Sequence, residues 1–291
     1  MMVKSKGTRI SDFIIAAIMF LFILVCILPM INLAARSFSS PMAIVHREVS
    51  FWPVGFTLES YQYAFRDPAF SRSLIWTVFL TIICTVVSMV MTILCAYPLT
   101  YDSLKGKKVF TTIMVLTMYF SAGTIPNYIL LKNLDWIDKP WVLIIPNCLS
   151  VFNVIILRSF FMGIPESMRE SAELDGANPF VVLTKIYLPL STAVLATLAL
   201  FYAVGRWNGF SDALMYMTDK RFAPIQLKLY EIIRNLSAIE VQAEGIASNA
   251  PAASDGMKAA AVMIATVPIL LIYPWLQRYF ITGVTVGAEK G

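Results

Sequence analysis

The chain holds a single histidine, His46, in 291 residues, and it falls in a stretch that reads as a loop. The four cysteines, Cys26, Cys84, Cys95 and Cys148, all sit in apolar runs and show no metal or disulfide spacing. They read as small buried hydrophobes. One histidine and no ligand cluster argue against a hydrolytic metal centre. Charge is scarce as well: 14% of residues are Asp, Glu, Lys or Arg, where a soluble domain carries about a quarter. Carboxylates avoid the long apolar runs almost completely. That weighs against an ion-coupled secondary transporter of a polar solute, the main rival reading, because such proteins bury carboxylates at mid-membrane. It also weighs against an intramembrane enzyme, which needs a catalytic cluster at one depth. Lys105-Gly106-Lys107-Lys108 lacks the upstream glycine and the Ser/Thr after the lysine of a phosphate loop, so the chain has no recognisable nucleotide site. The net charge of +5 does not call for nucleic acid, since the basic residues cluster at the ends of apolar runs.

Apolar residues are what the chain has in abundance: 58% of it, with a mean hydropathy of +0.72. The expectation is an all-α, polytopic transmembrane helical bundle in a lipid bilayer, one domain over residues 1–291. Six spans are expected, at about 13–33, 74–96, 109–131, 141–161, 190–208 and 258–280. Lys4, Lys6 and Arg9 precede the first run, which is longer than a signal-peptide core and is kept as a span. By the positive-inside rule the N-terminus is cytoplasmic, and six spans return the C-terminus there. The aromatic segment from Arg36 to Arg72 suits the headgroup level, and a long outside segment covers roughly 210–256.

Two of the spans carry polar interruptions. The third is broken by Ser121-Ala122-Gly123-Thr124-Ile125-Pro126-Asn127, and the fourth contains Pro146, Asn147 and Asn153. Broken helices and amides at membrane depth are costly against lipid. Either the asparagines hold neighbouring helices together, or they line a path for a polar solute. On the second reading the candidates are Asn127, Tyr128, Asn147 and Asn153, joined at the end of the fifth span by Tyr202, Arg206, Trp207 and Asn208. Trp207 also reads as an interface anchor, and Arg158 as a snorkelling side chain. Gly205 and Gly209 have the spacing of a helix-packing pair, which is weak evidence when isolated at a helix end.

The most informative polar stretch is Glu166 to Pro189. Glu166, Arg169, Glu170 and Glu173 fall at helical spacing and form one charged stripe, while Met168 and Ala172 share another face with Ile164. Pro165 suits a first helical position, and Gly176 after Asp175 suits a left-handed stop. Asn178 and Pro179 restart a helix as cap and first residue. The first of these helices is too short and too charged to span a bilayer.

Glu170-Ser171-Ala172, Gly176 and Ile186-Tyr187-Leu188-Pro189, at this spacing, resemble the EAA loop of membrane subunits of binding-protein-dependent ABC importers. Ser171 stands where that family usually has a second alanine. The loop at 163–189 then lies on the cytoplasmic side between spans four and five. The resemblance implies a coupling helix that sits in a cleft of a cytoplasmic ATPase, carried by Glu166, Arg169, Glu170, Ala172, Leu174, Asp175 and Gly176. Trp207-Asn208 and the tail from Gln277 to Gly291 are similar to sugar-type permeases, the second, maltose-type subunit in particular, although Glu289 departs from the small apolar residue expected there. The resemblance also implies a non-catalytic subunit in the bacterial cell membrane that makes half of a pore. Its implied partners are a second permease subunit, two ABC ATPase subunits and an extracellular or periplasmic substrate-binding protein that delivers a sugar or oligosaccharide. This chain itself is expected to bind no cofactor, with ATP and Mg held by the ATPase.

Overall fold

The structure, a computed structural model, describes the backbone of residues 6–243 and 255–272, and side chains over 12–235 and 255–272. Lys4, the Asn249-Ala250-Pro251 stretch and the tail from 273 onward, with Glu289, lie outside the described residues. Among the described residues every regular element is helical, in line with the all-α expectation.

Among the described residues, three helices are each long and apolar enough to cross a bilayer. They occupy Asp12–Ser37, Pro68–Thr100 and Asp255–Ile272, with mean hydropathies of 3.1, 2.6 and 1.7. They overlap the first, second and sixth expected spans, and residues 273–280 of the sixth lie outside the described residues. The first belongs to α1, Lys6–Ser37, whose apolar side chains are exposed along most of its length within the chain; two short helices, α2 (Pro41–Val45) and α3 (Glu59–Arg66), follow it, and the second contains α4 (Pro68–Ala96). Its covering is therefore lipid or another subunit.

The third and fourth expected spans are broken, and the fifth is one helix of 16 residues with a sharp bend just before it. In the third, α5 (Lys107–Tyr119) and α6 (Thr124–Asn133) meet at 113°. The break contains Gly123 at φ +87°, a backbone state that suits glycine. The thirteen residues of α5 rise only about 20 Å, short of a hydrocarbon core of about 30 Å. In the fourth, the chain makes a 3₁₀ turn at Pro140–Leu143 and runs irregularly past Pro146. It becomes α-helical only at α7, Val151–Met162, where the Ser150 Oγ accepts from the Asn153 N–H at 3.4 Å. Next comes α8, Glu166–Leu174, at 74° to α7. With four charges in nine residues α8 is unfit for hydrocarbon, whatever its neighbour. Then α9, Pro179–Leu190, meets α10, Thr192–Trp207, at 85°. By length and composition, the described residues hold three helices fit to cross a bilayer, or up to six crossings if each bent pair is one span.

The chain divides into two units, residues 1–70 with 229–267, and 71–228 with 268–291. In the first unit the segment after α1 folds on itself. Ser39 Oγ donates to the Ala35 carbonyl and accepts from the Val54 N–H at 3.1 Å. Phe38 stacks on Phe56, and Tyr61 packs beside it. Trp52 and Phe56 remain 81% and 69% exposed. The second unit has two cores. One gathers the end of the Pro68–Thr100 helix, α7, α9 and α10 around Leu157, Phe161 and Leu198. The other joins Leu80, Val142, Leu143 and Leu227. Both candidate functional regions lie in this unit.

Candidate functional site

At α8 the helix stop is specified by hydrogen bonds. The Ala177 N–H donates to the Ala172 carbonyl at 2.9 Å and the Gly176 N–H to the Glu173 carbonyl at 3.0 Å. This is the double-bonded Schellman stop, and it places Gly176 at φ +82°. Ala172 and Ala177 pack against the Leu157 core, which seats the helix end. Asn178 then caps α9, its Oδ1 accepting from the Val181 N–H at 2.9 Å. Pro165 is the cap residue, with extended ψ of 131°, one position before the helical place expected for it.

The charged stripe divides in two. Arg169 turns inward, where its side chain is only 14% exposed. It pairs with Glu166 and lies 3.7 Å from Glu173. Its guanidinium also stacks over the Tyr101 ring, 4.7 Å from the centroid. Glu170 stays exposed and has no ion pair among the described residues. Leu174 is 89% exposed and Met168 is 42% exposed. The exposed surface of α8 thus includes one carboxylate without an ion pair, Glu170, one turn from a bare apolar side chain, Leu174.

Beneath α8 lies an aromatic cluster. The Tyr97 hydroxyl donates to the Pro179 carbonyl at 3.0 Å and lies 2.6 Å from the Tyr101 hydroxyl, which is therefore its donor. Tyr97, Phe161 and Tyr187 meet edge to face. Tyr187 ends a five-residue π-helical turn, Leu183–Tyr187, inside α9. Pro189 cannot donate the ordinary helical bond and its ring crowds the preceding turn, which the wider turn relieves. One contiguous set of contacts thus links α8, through Arg169 and Tyr101, to the ends of the neighbouring helices. Arg158 Nε donates to the Leu99 carbonyl at 3.0 Å, at the end of the Pro68–Thr100 helix.

The second region is an open cavity of about 680 Å³. Asn147, Asn153, Tyr202, Arg206 and Asn208 line it, so five of the eight pathway candidates come together. The other three do not line it. Trp207 is buried on the far side of its helix, beside Thr81 and Leu200, because consecutive helical residues point about 100° apart. Tyr128 stacks on Tyr216 with centroids 6.2 Å apart, and Asn127 is exposed on α6. The Tyr202 hydroxyl accepts from the Ser150 N–H at 3.1 Å and lies 2.7 Å from Thr92 Oγ1. It thereby pins the start of α7 to the Pro68–Thr100 helix.

Arg206 is the buried cation of the cavity wall, 8% exposed. Its guanidinium holds both oxygens of Asp212 and donates to the carbonyls of Leu143 at 3.1 Å and Gly209 at 3.4 Å. A Cβ on Gly209 would sit 2.2 Å from Arg206 Nη2. Glycine is needed there for the guanidinium, not for helix pairing. Sequence reasoning missed Asp212, Ser88, Ser150 and the aromatic walls Phe152 and Phe201, all at the cavity. Asp212 lies six residues past Arg206 across a turn, outside any helical pairing rule.

No family model matches the chain. Curated relatives do. The polygalacturonan/rhamnogalacturonan transport system permease protein YtcP of Bacillus subtilis (strain 168) is 38% identical over 283 residues, 97% of this chain and 99% of that one. Protein LplC of the same organism is 39% identical over 267 residues, 92% of this chain and 90% of that one. Among solved structures, a chain of a bacterial ABC transporter involved in the import of the acidic polysaccharide alginate superposes with a TM-score of 0.88 at 30% identity. That match covers 96% of this chain and all of the other.

Proposed function

The chain belongs to the permease subunits of sugar ABC importers, a non-catalytic component of the cell membrane, and on that basis we propose that it forms half of an oligosaccharide pore driven through α8. The other half is a second permease subunit, and two ATPase subunits that carry ATP and Mg dock from the cytoplasm. A substrate-binding protein delivers the oligosaccharide on the opposite side. Both termini of this chain are cytoplasmic, which its basic N-terminal flank supports.

The outer face of α8 carries this reading. An exposed Leu174 beside an unpaired Glu170, on a helix fixed at its end by a Schellman stop, has the composition of a small docking knob. Glu170 meets a basic group of the ATPase, and Leu174 enters an apolar recess. Closure of the ATPases on ATP moves α8, and the contacts through Arg169, Tyr101, Tyr97 and Pro179 carry that movement into the helices around the cavity. Rocking of these helices as packed bodies changes which side of the membrane the cavity faces. Solute passes along the wall formed by Asn147, Asn153, Tyr202 and Asn208. The test is Glu170→Lys in the importer reconstituted in vesicles. Insertion and assembly persist, while sugar uptake per ATP hydrolysed falls at least about tenfold, as expected for reversing a close interfacial charge pair. Unchanged uptake per ATP overturns the docking reading.

A further inference from the structure

We propose that the cavity of this subunit is electroneutral and takes an uncharged saccharide rather than a uronate; the inference rests on the pathway reading above and deepens it. Ser88, Ser150, Asn153, Tyr202 and Asn208 supply neutral polar groups to the cavity wall, whose charged residues are one cation and one anion, Arg206 and Asp212. Those two charges are spent on each other. Asp212 meets the guanidinium with both oxygens, one of which also accepts from the Ala213 N–H at 2.9 Å. The carbonyls of Leu143 and Gly209 take the remaining Nη donation, and only Nε lacks a partner, in a position without solvent access. An incoming carboxylate would have to displace Asp212 from a fork already filled. It would then leave that carboxylate, 16% exposed, unpaired at the wall.

The rest of the wall suits a neutral sugar. Amides and hydroxyls both donate and accept, as sugar hydroxyls do. Phe152 and Phe201, 54% and 40% exposed, add apolar surface for the C–H faces of a pyranose ring. A volume of about 680 Å³ lies within the usual range for ligand sites. The solved relative belongs to a transporter of the acidic polysaccharide alginate, and YtcP is named for polygalacturonan and rhamnogalacturonan, so a neutral cavity sets the solute class of this chain apart from both.

The experiment places a cysteine at Ser211, exposed at the cavity, in the importer purified with its native partners. The cysteine is modified with neutral hydroxyethyl, anionic sulfonatoethyl and cationic trimethylammonioethyl methanethiosulfonates, and mass spectrometry of the peptide that carries it gives the rates. Normalised to a free thiol, the three rates are expected to agree within a few-fold. Adding Asp212→Asn should raise the sulfonate rate by about tenfold or more, because a cleft focuses the field of an uncompensated cation. If that double variant fails to assemble, the Ser211→Cys rates alone decide. A sulfonate rate already about tenfold above the neutral reagent's overturns neutrality. Each measurement is repeated with a neutral galactooligosaccharide and with an oligogalacturonate. Protection by the neutral probe alone supports the inference, and equal or better protection by the uronate overturns it. Agreement of the three rates with protection by neither removes the saccharide, and with it the pathway reading, while leaving the cavity neutral.

Discussion

Arg169→Met removes the charge that locks α8 onto its base while keeping an apolar stem of similar length. The side chain is 14% exposed, but its partners Glu166 and Glu173 are 61% and 44% exposed, so each ion pair counts as a surface pair. Such pairs contribute about 0.2–1 kcal/mol each, with screening by salt. The stack on Tyr101 at 4.7 Å adds about 0.5–2 kcal/mol, at the higher end because the guanidinium is largely covered. The loss is then about 2 kcal/mol, an opening of α8 that is roughly 30-fold more frequent at 1.4 kcal/mol per decade. A nine-residue helix has little stability of its own, so the loosening is confined to it. Hydrogen exchange of the assembled importer reads this directly. The peptide over 166–174 should exchange about 30-fold faster, with α7 and α10 unchanged, and uptake per ATP should fall. Arg169→Lys keeps the charge but loses the flat stack, and should fall between. Unchanged protection of α8 in Arg169→Met, or loosening spread over the whole second unit, would refute the lock.

Other consequences are as specific. Gly209→Ala puts a methyl 2.2 Å from Arg206 Nη2 and forces the guanidinium off Asp212; the loss, about 3 kcal/mol for breaking a buried pair, should appear as a lower unfolding temperature of the solubilised protein. Gly176→Ala meets no neighbouring atom, so it should cost only the left-handed backbone, about 1 kcal/mol, and leave assembly intact in gel filtration. The Asp138 carboxylate accepts from the Thr218 hydroxyl and from the N–H groups of Thr218 and Asp219. These bonds, the hydroxyl foremost, hold its pKa below the usual carboxylate value, against a smaller effect of burial. Below the unfolded value of about 4 the unfolded chain binds the extra proton. The stabilisation is therefore full above about pH 4 and is lost as the pH falls through the lower folded value. The unfolding-temperature difference between wild type and Asp138→Asn should shrink on acidification over that window, and a difference that does not vary with pH would count against the clamp.

What the sequence made legible was what local rules govern. The apolar runs located the three unbroken helices, and Gly176, Asn178 and Pro179 marked the end of one helix and the start of the next through backbone requirements that no distant residue alters. The charged stripe of α8 was visible too, but its division was not. Arg169 turns inward because Tyr101, 68 positions away, offers a ring face, whereas Glu170 has no such neighbour. Tyr202, Arg206 and Asn208 were found at the cavity through polarity beside an apolar run, and Trp207 went with them by sequence proximity although helical geometry sends it to the opposite side. The 113° break before α6 was legible as an interruption at Gly123, not as a reversal, since the angle depends on packing beyond the segment. The family resemblance supplied what geometry did not, namely the ATPase and the sugar.

The claim that α8 is the handle of an ATP-driven machine is tested most directly by a photo-crosslinking amino acid at Leu174 in intact membranes, with the adducts identified by mass spectrometry. A dominant adduct to an ATPase subunit is predicted, formed at a surface that includes a basic residue able to meet Glu170, and it should be lost in Glu170→Lys. Adducts to lipid alone, or none to any ATPase while the same probe on α1 captures another membrane subunit, would contradict it.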